Sequence, residues 1–153
     1  MPTLYKAFRL LQKKYDNLKL IVVGSGLSIE KVFKSTKDIV HISSTNKVKD
    51  YYQAMDIFVL PSLTETSSLS TMEAMSCGLP VVATNVGHVK FYIKDGKNGY
   101  LFPKKEYYVL AKKLSKLIEN PDLRKAIGLM ARKTITTKFS WEKTVKEIEA
   151  VLG

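Results

Sequence analysis

Short apolar runs recur along this chain, each separated from the next by a segment of helical periodicity, and that alternation admits few folds. Leu4, Ala7, Phe8, Leu11 and Tyr15 recur at helical spacing, and the run Leu18-Lys-Leu-Ile-Val-Val23 then reads as a buried strand ending at the turn Gly24-Ser25-Gly26. The same step repeats with a short helix over 29–33, a strand over 39–42, a helix over 48–55 and a strand over 57–60, stopped by Pro61-Ser62. Ser67 or Ser68 can cap a helix that runs through Met75 and ends before Gly78, followed by a strand over 79–83. A short helix over 89–93, a turn over 95–99 and a strand over 100–102 closed by Pro103 complete the alternation. Three helices follow, over 106–119, over 121–137 with Asn120 as cap and Pro121 in first position, and over 141–152 capped by Ser140.

Strands that are apolar throughout, without a polar face, belong to a parallel sheet covered by helices on both faces. The fold class expected is therefore α/β, and ligands of such sheets bind beyond the carboxyl ends of the strands. That directs attention to the loops after Val23, Ile42, Leu60 and Ala83.

The 153 residues amount to about one domain, and a hydrophobic content of 45% is enough for a packed core. One cysteine excludes a disulfide framework, and with only two histidines, His41 and His88, a protein-only zinc cluster is not expected. No run approaches the ~20 apolar residues of a membrane span, and Met1-Pro2-Thr3-Leu4 has neither a signal-peptide nor an anchor pattern, so a reduced, cytoplasmic setting is expected. The formal charge of +11 calls for an anionic partner: a phosphate-bearing small molecule, an acidic membrane surface or a nucleic acid. Lys104-Lys105, Lys112-Lys113, Lys116 and Arg124-Lys125 read most simply as solvated helix faces, with anionic lipid or a phosphorylated carrier as the functional reading. Tyr107-Tyr108 and Trp141 read as core or docking residues.

The densest chemistry lies between Pro61 and Thr84, where a strand end leads into a helix and two carboxylates, Glu65 and Glu73, stand eight residues apart. Glu65 follows the strand end and faces the crevice. Glu73 falls on the helix within about 40° of Leu69 at roughly 100° per residue, between Leu69 and Met72. An ionised carboxylate in such apolar company needs a cation or hydroxyl donors, and ribose hydroxyls would serve; a surface position or an ion pair are the plainer readings. The amino end of this helix also directs free N–H groups and a positive dipole at the crevice, which suits a diphosphate or a sugar oxygen.

This segment resembles the signature of family 4 retaining glycosyltransferases: two glutamates separated by seven residues, then Ala-Met-x-Cys-Gly-Leu-Pro-Val-Val-Ala. The likeness extends in order through Val22-Val-Gly24-Ser-Gly26, Ala54-Met-Asp56-Ile-Phe-Val-Leu-Pro-Ser62, Asp95-Gly-Lys-Asn-Gly-Tyr-Leu-Phe-Pro103 and Phe139-Ser-Trp-Glu142. The resemblance implies a Rossmann-like parallel sheet, the C-terminal, nucleotide-sugar-binding half of a two-domain GT-B fold, occupying residues 1–153 as a single domain. It assigns Glu65 to the transferred sugar as the catalytic position and Glu73 to the donor ribose. Backbone amides of Ser67, Ser68 and Leu69 would meet sugar hydroxyls or phosphate, and Gly24, Ser25, Gly26, Ser43 and Ser44 would lie near the nucleotide. It implies no metal and no cofactor, a UDP-, GDP- or ADP-sugar as donor, and a glycan or lipid-linked acceptor, at the membrane periphery in the full-length protein.

Two departures bear on the donor. Thr66-Ser67-Ser68 stands where the family commonly has Gly-Phe-Gly, and Gly87-His88-Val-Lys90-Phe91 where it has Gly-Gly-x-x-Glu, which makes His88 a further candidate. The resemblance also places a first strand, with a diphosphate-clamping Arg and Lys, before the helix at Thr3. The expectation is a chain lacking both that strand and the N-terminal acceptor-binding domain, inactive alone. The alternatives are a sugar-nucleotide epimerase-like domain of the same fold, a basic nucleic-acid-binding module, for which recognition motifs are lacking, and a receiver-like domain, for which Asp56 stands alone.

Overall fold

The computed structural model describes residues 2–139 and 141–152. Its elements run in the order α1 (Pro2–Gln12), β1 (Leu20–Val23), α2 (Leu27–Val32), β2 (Ile39–Ile42), α3 (Val48–Ala54), β3 (Phe58–Leu60), α4 (Leu69–Ser76), β4 (Val81–Thr84), α5 (Val89–Tyr92), β5 (Tyr100–Phe102), α6 (Tyr107–Glu119), α7 (Pro121–Lys138) and α8 (Trp141–Leu152). The expected alternation is present throughout. Ser140, the expected cap of α8, lies outside the described residues, as do Met1 and the side chain of Trp141.

All strand pairings are parallel, as the uninterrupted apolar runs require, but they form two sheets. β1 pairs with β2, with Val22 opposite His41; β4 pairs with β3 on one side and β5 on the other, with Val82 opposite Val59 and Tyr100. β4 is buried along its whole length, and its alternating side chains define the two faces of the sheet. Val82 packs into a cluster with Leu4 and Phe8 of α1 and Leu110 and Leu114 of α6. Val81 and Ala83 pack into a second with Tyr52 of α3, Met75 of α4, Val89 of α5 and Ile135 of α7. Helices therefore cover both faces.

Where the elements are shorter than the periodicity suggests, hydrogen bonding gives the reason. The apolar run over 79–83 becomes strand only from Val81, because Leu79 N–H returns to Ala74 O at 3.1 Å and Gly78 N–H to Met75 O at 2.9 Å, closing α4. Gly78 has φ +81, the left-handed conformation such a helix end requires. The turn before β5 is held by Asn98, 4% exposed, whose side chain accepts from Lys94 N–H at 2.7 Å and donates to Tyr92 O and Thr134 Oγ1, both at 2.9 Å. Asn120 caps α7 as expected, accepting from Leu123 N–H at 2.9 Å. α7 approaches α4 closely at Gly128, where an added Cβ would lie 2.0 Å from Gly78 O. Tyr107 packs against the α1–α6 core, whereas Tyr108 and much of the apolar side of α8, Val145 and Ile148 included, are exposed. Among the described residues no helix is long and apolar enough to cross a membrane.

Candidate functional site

The loops at the carboxyl ends of the strands form two groups, one on each sheet. On the first, β1 ends in Gly24 and Gly26, both at φ near +140°, a conformation open to glycine and costly for any side chain. The N–H of Gly24 bridges Ile42 O and Ser43 O, each at 3.0 Å, so the glycine turn and the loop after β2 are joined. His41 closes the same corner, donating from Nε2 to Gly24 O at 2.8 Å. Ser25, Gly26, Ser43 and Ser44 are exposed around it. His41, which in sequence is one polar residue inside an apolar run, thus fixes the turn, and only the β1–β2 register reveals it.

On the second sheet, the chain leaves β3 through Pro61 and Ser62, and Ser62 Oγ donates to Glu65 Oε1 at 2.7 Å, fixing the direction of a half-buried carboxylate. The loop after β4 clasps this segment from below. Gly87, at φ +51, lies so close that a Cβ there would stand 1.8 Å from Glu65 O, and His88 N–H donates to Thr66 O at 3.1 Å. The imidazole of His88 is exposed and rests beside the Phe91 ring, with centroids 4.9 Å apart. The backbone of Gly87-His88 therefore positions Glu65, a role the sequence reading, occupied with the imidazole, did not find.

Ser68 caps α4. Its hydroxyl, in a residue 4% exposed, accepts from Thr71 N–H at 3.4 Å and from Thr71 Oγ1 at 2.9 Å. Its side chain is thus committed to the helix, while the other first-turn amides have no intrahelical acceptor. Ser67 and Leu69 on either side are exposed, Leu69 at 70%. Beneath the cap, burial holds the Tyr92 phenol above its ordinary pKa and the Glu65 charge adds to this; the Thr71 hydroxyl and Ser68 backbone act in the opposite sense. The Tyr92 hydroxyl nonetheless makes no hydrogen bond of ordinary geometry.

Glu73 lies one turn further along α4, exposed on its outer side, and accepts from Tyr52 Oη at 3.0 Å. Burial, then this bond to Glu73, pushes the Tyr52 phenol well above its ordinary pKa, so it stays a donor at any physiological pH. Glu73 thus takes the surface position of the plainer reading, since Leu69 beside it is exposed as well, and its one hydroxyl donor among the described residues is Tyr52 of α3, 21 residues upstream in a different element.

Gly24 and Ser43 are brought together by the first group of loops, Glu65 to Leu69 with Gly87 and His88 by the second. Between the sheets lies a cavity of about 960 Å³, bordered by Val23, Tyr52, Ser62 and Ser70. None of the candidate donor residues lines it.

With this geometry established, likeness to known proteins decides the family. Residues 1–134 match the family model for glycosyl transferases group 1. The chain is a member of that family. It is 33% identical over 156 aligned residues to an uncharacterized glycosyltransferase of Haemophilus influenzae, covering 97% of this chain and 44% of that protein. The solved C-terminal domain of a group 1 glycosyl transferase from Francisella tularensis superposes with a TM-score of 0.80 at 28% identity, over 91% of this chain and 78% of that one. A mutant of S. aureus TarM, solved with fondaparinux, alpha-GlcNAc-glycerol and UDP, superposes with a TM-score of 0.88 at 26% identity, over 97% of this chain and 32% of that one. The chain spans about two fifths of the length of the curated relatives it matches. The group 1 glycosyltransferase fold is thus the one expected, that of the C-terminal GT-B domain, and the epimerase-like and nucleic-acid-binding alternatives are not favoured.

Proposed function

We propose that this chain is the donor-binding domain of a retaining glycosyltransferase, which takes a nucleoside-diphosphate sugar and passes the sugar to a glycan or lipid-linked acceptor held by an N-terminal domain of the same protein. The observation that carries the reading is the Tyr52–Glu73 pair. One carboxylate oxygen is held by a buried phenol, so the other is oriented for a diol, and adjacent ribose hydroxyls are a diol that UDP, GDP and ADP sugars all carry. The UDP present in the TarM structure supports a uridine nucleotide as the first donor to test, with GDP and ADP sugars beside it.

In this reading the Gly24–Gly26 turn, pinned by Ser43 and His41, lies against the nucleotide, and the unpaired amides at the start of α4, Leu69 among them, receive a phosphate or sugar oxygen. Glu65, aligned by Ser62, faces the transferred sugar at the reaction centre. It orients the sugar while fixed dipoles stabilise the departing diphosphate, so a covalent glycosyl-enzyme is not required. Exposed Ser67 and His88 border the place where the sugar's distal hydroxyls would lie. No metal or cofactor enters this scheme, and acceptor binding falls to the N-terminal domain. In the full-length protein the basic surface would hold it, in the cytoplasm, against an anionic membrane.

Calorimetric titration with UDP, GDP, ADP and their sugars tests this. One nucleotide is expected to bind saturably, and Glu73→Ala to weaken it by about 1–3 kcal/mol, the cost of losing a charged hydrogen-bond acceptor. Binding unchanged in Glu73→Ala would remove Glu73 from the donor site, and no binding of any nucleotide at millimolar concentration would overturn the reading for this domain.

A further inference from the structure

Among the described residues one buried side-chain oxygen goes without a hydrogen bond, the Tyr92 hydroxyl, in a residue 3% exposed. Leaving a buried hydroxyl unpaired is a net cost, and a phenylalanine would fill the same place without it. The oxygen has neighbours. The Thr71 hydroxyl and the backbone of Ser68 both act on it in the sense of donors, and a backbone group that favours the phenolate is an N–H. Tyr92 itself is held in place: its carbonyl accepts from Asn98 Nδ2 at 2.9 Å, and its ring, in the cluster with Met75 and Ala83, meets the Phe139 ring edge-on at 6.0 Å.

Ser68 shows the other half of the missing bond. In a capping box the third helical residue turns its side chain back to accept from the N–H of the cap. The third residue of α4 is Thr71, but its hydroxyl is turned to Ser68 Oγ, at 2.9 Å. The N–H of the buried Ser68 therefore has no acceptor of ordinary geometry among the described residues. A buried amide donor and a buried phenol oxygen lie side by side, each lacking the bond that the other could supply. The connection between β4 and β5, which carries Tyr92, also grips this loop at a second point. His88 N–H donates to Thr66 O at 3.1 Å, and only the exposed Ser67 separates Thr66 from Ser68. Of the two grips, that on Thr66 is closed and that on Ser68 is open.

We propose, on the donor-binding reading of this domain, that Tyr92 is a positioning residue: in the form of the 65–68 loop that holds the sugar of a bound nucleotide sugar, its hydroxyl oxygen accepts from Ser68 N–H. Its own proton goes to Thr71 Oγ1, so that Ser68 N–H, Tyr92, Thr71, Ser68 Oγ and Ser70 Oγ form one run of hydrogen bonds. The last two links, Thr71 to Ser68 at 2.9 Å and Ser68 to Ser70 at 3.1 Å, are already made. With both grips closed, the direction of Glu65 and of the first-turn amides of α4 is fixed. Tyr92 touches no ligand and acts through Ser68. The sugar is the part of the donor that it serves, because the Tyr52–Glu73 pair and the Gly24 turn, assigned to the nucleotide, lie outside this loop.

Tyr92→Phe, which removes the hydroxyl and keeps the ring, tests this by calorimetry, with UDP, GDP and ADP compared against UDP-glucose, UDP-N-acetylglucosamine, GDP-mannose and ADP-glucose. Without ligand the variant is expected to melt no lower than the parent, since no bond is lost. Its affinity for the bare nucleotide is expected to stay unchanged, and that for the nucleotide sugar to fall about fivefold. In the parent the nucleotide sugar, but not the bare nucleotide, is expected to slow hydrogen exchange of the Ser68 amide about tenfold, and in Tyr92→Phe that slowing is expected to vanish. Equal affinity of parent and variant for the nucleotide sugar, or an equal loss for nucleotide and nucleotide sugar, overturns the proposal and leaves the donor site standing. So does a Ser68 amide whose exchange the nucleotide sugar leaves unchanged. A variant that melts lower without ligand also overturns it, since the hydroxyl would then be bonded in the free protein. If no nucleotide binds the parent, the role of Tyr92 and the donor-binding reading fall together.

Discussion

Replacing Gly87 by alanine tests how the Glu65 loop is held, because two separable penalties meet there. The first is conformational: at φ +51 an alanine pays about 1–2 kcal/mol that glycine does not. The second is steric. The new Cβ would stand 1.8 Å from Glu65 O, against the 3.0 Å below which real Cβ atoms essentially never come, so the loop has to retreat by at least about 1.2 Å. A shift of that size breaks the 3.1 Å bond from His88 N–H to Thr66 O, at about 1 kcal/mol, and disturbs packing at about 1–3 kcal/mol more. Gly78→Ala supplies the control: its φ is +81, but a Cβ there meets nothing within 4 Å, so it carries the conformational penalty alone. For a domain of this size each kcal/mol lowers Tm by about 2–4 °C, so Gly78→Ala is expected to melt about 2–8 °C below the parent and Gly87→Ala, with about 3–6 kcal/mol lost, about 6–24 °C below it. Thermal melts followed by circular dichroism measure both. If Gly87→Ala melts within about 3 °C of Gly78→Ala, the loop after β4 does not support Glu65 as described. At the level of binding, the displaced loop should weaken a nucleotide sugar more than the bare nucleotide, since Glu65 is assigned to the sugar.

Two further expectations concern the helical layer and acid stability. Helix propensity alone says that Gly128→Ala, in the interior of α7, should stabilise by about 1 kcal/mol, but the 2.0 Å approach to Gly78 O forces α7 off α4 at about 2–3 kcal/mol, so denaturant titration should show a net loss of about 1–2 kcal/mol. Asp95 pairs with Lys113 at 2.8 Å and accepts from Leu101 N–H at 2.7 Å; partial burial opposes its ionisation, but these two donors outweigh it and hold the carboxyl below its ordinary pKa. A carboxylate depressed in the folded state contributes stability that is present above the unfolded value of about 3.9 and lost as pH falls through the folded one. Between pH 5 and 2, roughly, the parent should therefore lose Tm more steeply than Asp95→Asn, and parallel acid limbs would refute the assignment.

Much of this protein is written locally. The apolar runs that become β1, β3 and β4, the periodicity of α1, α6 and α7, the Asn120 cap and the stop at Gly78 are each set by residues within a few positions of one another, which is why their order and parallel pairing were legible. Glu65 and Glu73 could be singled out from the sequence too, because one stands just before α4 and the other on it, within one segment. Contacts between segments were not. Tyr52 meets Glu73 across 21 residues, Gly87 supports Glu65 across 22, and Gly128 meets Gly78 across 50, and nothing in a local pattern specifies such pairs. The division of the strands into two sheets was equally hidden, since periodicity reports which faces a strand buries but not which edges find a neighbour. Hydrophobic pattern and turn chemistry act over a few residues, so the sequence determined the elements and their class. Which backbone passes within reach of which side chain depends on how the layers pack, and only the tertiary structure decided that.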